Sequence, residues 1–558
     1  MTNKANKPRT LIIGLDGATF DLIRPWAKAG HLPVLARLMA EGAHGTLDAW
    51  PNLGSPAAWT SIVTGYNPGQ HGVFDFGNTD LQGSQPWRPT TALDRRKAPF
   101  WRRLSDAGQA AGVINVPISY PADKIYGFML AGMDSPSVHS PGFCHPPGLY
   151  DELTQAGIDY AIDVVKLVAG GMHDPHRLPE VARAAVEARG RAVVHLMEHH
   201  PWDALMAVFV ETDRMQHYFW PAATLPGDSP DWTPLRDLYS LLDHWLGEIV
   251  SRLDDQTTVV VLSDHGFGRI QRRRFNTNAI LRQLGYAKLR GSQARWQSRL
   301  LASLLTYGRR YIPIAWHERL ARTLPRMRAR AVEAQIAGGL DWAHTRAFAT
   351  KATSRVTVNL RGRQPAGIVA LEEYDALCAE IRDSLLGLIE ADTGRPLATT
   401  VARCDEMFRG PYRDRGGDLV IRWRPDIGDG PIVYHPRGGE PAPIETGQPK
   451  QHSRAWAGTH RPEGIFIAWG PHVKRGVAID PVRQYDIAAT VLYLQGLALP
   501  SDMDGRALTE IFTDGWLRDH PVGQSAPDGD DQAQAGPELD EQETAQIEAR
   551  LRDLGYLE

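Results

Sequence analysis

The sequence predicts an α/β protein built on a mostly parallel sheet with helices on both faces. Three observations carry this. Apolar, β-branched runs alternate with helical patterns along most of the chain. The runs are continuous and bounded by polar residues, as in strands buried within a parallel sheet. Three of them, LIIGLD, MAVFVETD and VVVLSDH, end in aspartates: Asp16, Asp213 and Asp264, the last followed by His265. Ligands of parallel sheets bind beyond the C-terminal strand ends, so three strands deliver carboxylates to one edge. Carboxylates gathered there repel one another, and a bound cation is the usual means of keeping them ionised.

The elements follow in order. LIIGL precedes the helical HLPVLARLMAEG; AGVINVPIS leads into a Pro/Gly-rich stretch to about Gly148; the helical RLPEVARAAVEARGRAVVHLMEH precedes WDALMAVFV. A helix over LRDLYSLLDHWLGEIVSRL then leads to TTVVVLSD. This βα alternation is the mark of a parallel sheet. From Lys288 to Arg330 the pattern becomes helical and basic, with eleven Lys or Arg and only Glu318 as an acid. Strand-like pieces return in RVTVNL, DLVIRW and GIFIAWG, and QYDIAATVLYLQGL reads as a late helix. The expected organisation is one catalytic domain over 8–520, with 288–345 as a helical insertion or cap. An acidic, flexible linker at 522–537 and a C-terminal helix at 538–558 follow, the helix presenting Ile547, Leu551 and Leu554 on one face.

Bulk properties narrow the class. With 558 residues and 42% hydrophobic composition the chain can bury a large core. Its net charge of −4 conceals ten acidic residues from Gly523 to Glu558 against Arg550 and Arg552, which leaves the body near +4. So small an excess predicts no nucleic-acid polymer as partner. Cys144, Cys378 and Cys404 are odd in number and scattered, which fits a reducing compartment and excludes a disulfide framework. LIIGL is too short for a signal peptide and no run approaches membrane-spanning length, so a cytoplasmic enzyme is expected. The oligomeric state is not legible.

Further residues carry chemistry. In SPAAWTSIVT, with Gly65 as the stop, Ser55 reads as an N-cap and Pro56 as the first helical residue. That is a well-capped helix or, since a helix N-terminus favours an alkoxide and an incoming phosphate, a serine nucleophile. In ETDRMQH, Asp213 and His217 stand at i, i+4, the spacing of a chelating pair or of a solvent-facing polar turn. Asp264-His265 is more specific, because it follows VVVLS directly and precedes Gly266-Phe267-Gly268. GTHRPEGIFIAWGP places His460 in a loop before another strand.

In this order the residues resemble the alkaline phosphatase superfamily, and within it the type I phosphodiesterase/nucleotide pyrophosphatase branch. The resemblance runs from Leu11 to about Leu508 and rests on LIIGLDG, SPAAWTSIVTGYNPGQHG, TDRMQH, LSDHGFG, GTH and QYDIAATVLYLQGLALPSDMDGRAL. It implies an alkaline-phosphatase-like three-layer sandwich. It assigns Asp16, Ser55, Asp264 and His265 to one metal site and Asp213, His217 and His460 to the other. The implied cofactors are two divalent ions, zinc by the mixed Asp/His donors, with manganese or iron as alternatives. The implied activity is a phosphodiesterase or phosphatase in which a metal-activated Ser55 forms a phosphoserine.

Two departures bear on the substrate. Members of that branch usually carry a threonine nucleophile and, about twenty residues later, an asparagine on the phosphoryl oxygen; here Ser55 and Phe76 stand in those columns. Asn78, two residues on, is the candidate replacement. A phosphomutase, a phosphonate hydrolase and an inactive phospholigand-binding relative therefore stand as alternatives to hydrolysis of a phosphorylated small molecule or lipid-like ester. A formylglycine sulfatase would need proline where Ala57 stands and arginine where Trp59 stands. In the basic region, Trp296, Tyr307, Tyr311 and Trp316 lie among arginines that include Arg309 and Arg310. This composition suits a cap over an anionic substrate, peripheral membrane contact, or a solvated helix pair packed on the core. The cap reading predicts that replacing Arg309 and Arg310 together by Ala raises KM for a charged substrate; an unchanged KM removes it.

Overall fold

The computed structural model describes residues 8–553 apart from 52–53, 79–87, 165–174, 221–231, 270–275, 290–339, 350–353, 365, 429, 436–441, 445–456 and 530–538. Most of the basic insertion expected at 288–345, with Arg309 and Arg310, lies outside the described residues. The chain divides into two compact units, one of Met1–Phe76, Pro89–Ile270 and Ser453–Glu558, the other of Gly77–Arg88 and Gln271–His452.

The first unit carries a ten-stranded, mostly parallel sheet. Its strands are β1 (Arg9–Leu15), β2 (Ala43–Asp48), β3 (Ala111–Val116), β4 (Gly127–Ala131), β5 (Cys144–His145), β6 (Ala204–Phe209) and β7 (Thr257–Leu262). A short β8 (Gly266–Arg269) pairs antiparallel with β9 (Gly458–Arg461) beside the sheet, and β10 (Glu463–Trp469), β11 (Val477–Ala478) and β12 (Val482–Arg483) complete the set. The order is β11-β2-β10-β7-β1-β6-β3-β4-β5, with β12 also on β2. β6, β1 and β7 are adjacent and parallel, and Leu15 stands opposite Phe209 while Gly14 stands opposite Leu262. Their C-terminal ends are therefore level, as a shared site requires.

Helices close both faces. The principal ones are α1 (Phe20–Lys28), α2 (Pro33–Glu41), α3 (Ser55–Thr64), α4 (Leu178–His199), α5 (Glu211–Phe219), α6 (Thr233–Val250), α7 (Asp486–Leu494) and α8 (Glu541–Asp553). On one face Ile12, Met206, Val208, Val260 and Leu262 share a core with Trp59 and Ile62 of α3 and Ile487 and Val491 of α7. On the other, Ile13, Leu15 and Phe209 meet Leu35 of α2 and Tyr239, Leu242 and Leu246 of α6 around a narrow gap. Alternate residues of one strand thus feed two cores, so the runs carry no polar alternation. This is the three-layer α/β sandwich the sequence predicts.

α3 is buried on every side, from Ser55 through Thr64, as its lack of charged residues demands. It starts one residue earlier than the capping pattern suggests: Gly54 is the N-cap and Ser55 the first helical residue. Gly65 ends it in the left-handed conformation with φ +79°. α3 approaches β1 so closely that a Cβ on Gly14 would lie 2.5 Å from the Trp59 ring and 2.9 Å from Val208.

In the second unit Ala347–Ala349, Arg355–Val358, Leu419–Trp423 and Ala398–Arg403 form a separate antiparallel sheet in that order. Helix Leu371–Leu386 belongs to the same unit and buries Leu377, Cys378, Ile381 and Leu385 in its core. RVTVNL and DLVIRW belong here, whereas GIFIAWG, as β10, enters the main sheet antiparallel between β2 and β7. Periodicity marks a strand but not its partner.

Near the C-terminus the polar composition misleads. Within the stretch read as a flexible linker, Gln524–Ser525 pairs with Leu499–Pro500, and Asp528 bonds Arg103 while its carbonyl accepts from Lys97 Nζ at 2.7 Å. Hydrophilic residues gave no sign of these backbone and ionic contacts. Beyond 538, α8 buries Ile547 and Leu551.

Gly14→Ala is expected to lower the unfolding free energy by about 1–3 kcal/mol, the range for inserting a methyl into a closed core. Denaturant titration checks this, and an unchanged midpoint would show that β1 and α3 are not in such close contact.

Candidate metal centre

The level ends of β6, β1 and β7 set three carboxylates in one buried place. Asp16 follows β1 directly, Asp264 stands two residues beyond β7, and Asp213 lies in the first turn of α5, four residues past β6. Asp16, Asp213, Asp264 and His265 have no measurable exposure. Each is held by a neighbour. Gly17, at φ +67°, turns its N–H onto Asp264 Oδ1 at 3.2 Å, and Trp59 Nε1 donates to Asp16 Oδ2 at 3.1 Å. These bonds take one oxygen of each carboxylate. Among the described residues Asp16 Oδ1 and Asp264 Oδ2 have no hydrogen-bond partner although buried, and lie 3.7 and 3.4 Å from His265 Nε2.

His265 Nδ1 lies 3.0 Å from the carbonyl oxygen of Gly266, which places the ring proton on Nδ1 and turns the Nε2 lone pair inward. Ser55 Oγ is 3.5 Å from that Nε2. The serine side chain therefore faces the acidic cluster, as a nucleophile would, at the buried N-terminus of α3.

The second group adjoins the first. Asp213 Oδ1 is 3.1 Å from His460 Nε2 and 3.5 Å from His217 Nε2, and the two imidazole Nε2 atoms are 3.2 Å apart. His217 Nδ1 is 3.2 Å from the carbonyl oxygen of Gly458, so its Nε2 also points inward. The ring of His460 stacks on that of His265 with centroids 3.7 Å apart. Donor atoms of Asp16, Asp264 and His265 lie within 4.8 Å of one another, and so do those of Asp213, His265 and His460. His265 is common to both groups, so the two candidate sites abut.

Electrostatics show what the cluster lacks. Burial, reinforced by the charges of Asp264 and Asp213, pushes the Asp16 carboxyl well above its ordinary range. Burial likewise pushes Asp264 up to about 6 and lowers His217 and His265 to about 3. Burial works against Asp213 too, but His217, His460 and the Arg214 guanidinium outweigh it and hold this carboxyl low. Neutral imidazoles beside reluctant carboxylates are a ligand set awaiting positive charge. Together with the two orphaned oxygens, the Asp/His donors fit divalent cations.

Over residues 10–427 the chain matches the family of type I phosphodiesterases and nucleotide pyrophosphatases. The chain belongs to this family. The family match spans Asp16, Ser55, Asp213, His217, Asp264 and His265, and ends before His460. Among solved structures, wild-type alkaline phosphatase PafA is 13% identical with a TM-score of 0.50, covering 92% of this chain and 100% of its own. Phosphonoacetate hydrolase from Sinorhizobium meliloti 1021, in complex with phosphonoacetate, is 14% identical with a TM-score of 0.46, covering 88% and 95%. Murine ectonucleotide pyrophosphatase/phosphodiesterase 5 is 12% identical with a TM-score of 0.44, covering 90% and 100%. At these identities the likeness to PafA shows the fold. No curated protein matches the sequence.

All seven residues that the resemblance assigns to the metal sites fall in the first unit and converge. Phe76 is buried, and its carbonyl accepts from the Thr90 N–H at 2.8 Å. Asn78 lies on a short strand, Gly77–Asn78, in the second unit; its side chain, like Arg309 and Arg310, lies outside the described residues. Sequence reasoning missed the supporting residues. Trp59 stands four residues after Ser55, one helical turn on, and Arg214 stands inside TDRMQH beside Asp213. Both signals are local. The Gly266 and Gly458 carbonyls leave no trace in side-chain identity.

Because Asp16 and Asp264 hold protons more tightly folded than unfolded, the metal-free protein is stabilised by them at low pH. That stability is lost as pH rises through about 6, the value for Asp264. A dication that replaces those protons should therefore raise Tm more at pH 8 than at pH 5, as thermal melts with and without Zn²⁺ will show. Equal shifts at both pH values would contradict a site built on these carboxylates.

Proposed function

We propose that this chain is a two-metal phosphoric ester hydrolase whose nucleophile is Ser55. Family membership supports a phosphoric ester hydrolase. The observation that carries the finer reading is the pair of abutting ligand groups around His265, with Ser55 Oγ 3.5 Å from His265 Nε2. Asp16, Ser55, Asp264 and His265 would hold one ion, and Asp213, His217 and His460 the other. When bound, the two ions supply positive charge for the attacking and leaving oxygens of an in-line displacement, and zinc suits these donors.

The chain's own residues do the rest. Ser55 Oγ attacks phosphorus, an Oγ–P bond forms as the ester O–P bond breaks, and the alcohol leaves. Water then attacks the phosphoserine, releasing phosphate, or a phosphomonoester if the substrate was a diester, and restoring the hydroxyl. Trp59 and the Gly17 N–H keep Asp16 and Asp264 from rotating, and Gly266 and Gly458 fix the ring tautomers of His265 and His217. Burial excludes bulk water, so these fixed dipoles act at full strength. The substrate class is a phosphorylated small molecule or a lipid-like ester, with Asn78, Arg309 and Arg310 as proposed substrate contacts.

Turnover of bis-p-nitrophenyl phosphate and of p-nitrophenyl phosphate by the zinc-loaded protein tests the reading, and the ratio assigns diester or monoester preference. Ser55→Ala is expected to lower kcat by about three orders of magnitude or more while metal content is kept, as loss of a nucleophile does elsewhere. Turnover that survives Ser55→Ala would remove the serine mechanism.

A further inference from the structure

We infer that Arg550, on the C-terminal helix α8, is a positioning residue for the metal group built on Asp213. The inference rests on the two-metal reading. α8 is docked by Ile547 and Leu551, and between them Arg550 enters the first unit with only 8% of its surface exposed. Its guanidinium donates to three backbone carbonyls of one loop: Nη1 to Met133, at 2.7 Å, and to Ser135, and Nη2 to Pro136, at 2.7 Å. Asp163 and Asp134 act on it through their charges, with no ion pair to it among the described residues, and its guanidinium hydrogen bonds go to backbone. Desolvating a guanidinium is costly, and a fork matched to three carbonyls fixes their loop far more tightly than apolar packing could.

The loop leads to the metal ligands. Met133 is held at both ends, its carbonyl by Arg550 and its sulfur by Arg214, whose Nη2 lies 3.4 Å from Sδ. The same Nη2 donates to Asp163 Oδ2 at 3.0 Å, and Arg214 Nη1 donates to Asp213 Oδ2. Because Arg214 takes Oδ2, Asp213 turns Oδ1 toward His217 and His460. Three contacts thus run from the terminal helix to a metal ligand: Arg550 to Met133, Met133 to Arg214, Arg214 to Asp213. The opposite side of the loop is fixed by Asp134, whose carboxylate accepts the N–H groups of Ser119 and Tyr120 at 3.2 and 2.8 Å. Arg550 is therefore the part of this support that arrives from the far end of the chain, across a separation of 417 residues from Met133.

Zn²⁺ titration of the full-length, metal-stripped protein followed by calorimetry tests this. The wild type should bind two equivalents. Arg550→Met should weaken one of them by about tenfold, as loss of an outer support does, and leave the other unchanged. The weakened equivalent must be the one that Asp213→Asn abolishes. Arg214→Lys with Arg550→Met should cost less than the two effects added, because both act through one path. Arg550→Gln, which also removes the fork, serves if the methionine variant does not fold. Two unchanged equivalents, or two weakened alike, would overturn the inference, and so would failure of both variants to fold, since Arg550 would then serve folding alone. A wild type that binds fewer than two equivalents would instead strike the two-metal reading.

Discussion

The structure depends on one electrostatic constraint: three carboxylates, from the ends of three adjacent parallel strands, share a site that water does not reach. At close range in a poorly screened interior, the mutual repulsion of such charges is large. Arg214 offsets part of it at Asp213. The charges of Arg214 and His460 also reach Asp16 and Asp264 respectively, but burial and mutual repulsion outweigh them there and both carboxyls are pushed up. Asp16 Oδ1 and Asp264 Oδ2 point inward with no hydrogen-bond donor among the described residues, the arrangement that a bound cation would satisfy.

Around that constraint the scaffold is arranged so that five of the seven proposed ligands present one atom each. Trp59 and the Gly17 N–H occupy the far oxygens of Asp16 and Asp264, Arg214 that of Asp213, and backbone carbonyls the far nitrogens of His265 and His217. Such support comes from packing as much as from polar contacts. Trp59 reaches Asp16 only because Gly14 lets α3 settle onto β1, so a core contact and a ligand contact are made by the same side chain.

Much of this was legible in the sequence. LIIGLD, VVVLSD and the segment around TDRMQH revealed both the parallel strands and the acids at their ends, because buried strands are written as continuous apolar runs. Ser55 was legible as the start of a helix, displaced by one residue from its true place since Gly54 takes the cap. The partners of strands were not legible: RVTVNL and GIFIAWG look alike, yet one lies in the second unit's antiparallel sheet and the other in the main sheet. Nor were supports supplied by backbone atoms, or contacts such as Arg550 to Met133, since spacing along the chain carries no record of them. Asp528 belongs to the same class, a residue of linker-like composition that an ion pair ties to the body.

The claim that two metal ions occupy the cluster is tested most directly by anomalous X-ray diffraction from crystals of the zinc-loaded protein, recorded on both sides of the zinc edge. The account predicts two peaks, one among Asp16, Ser55, Asp264 and His265 and one among Asp213, His217 and His460. A single peak, or none near these residues, would contradict it.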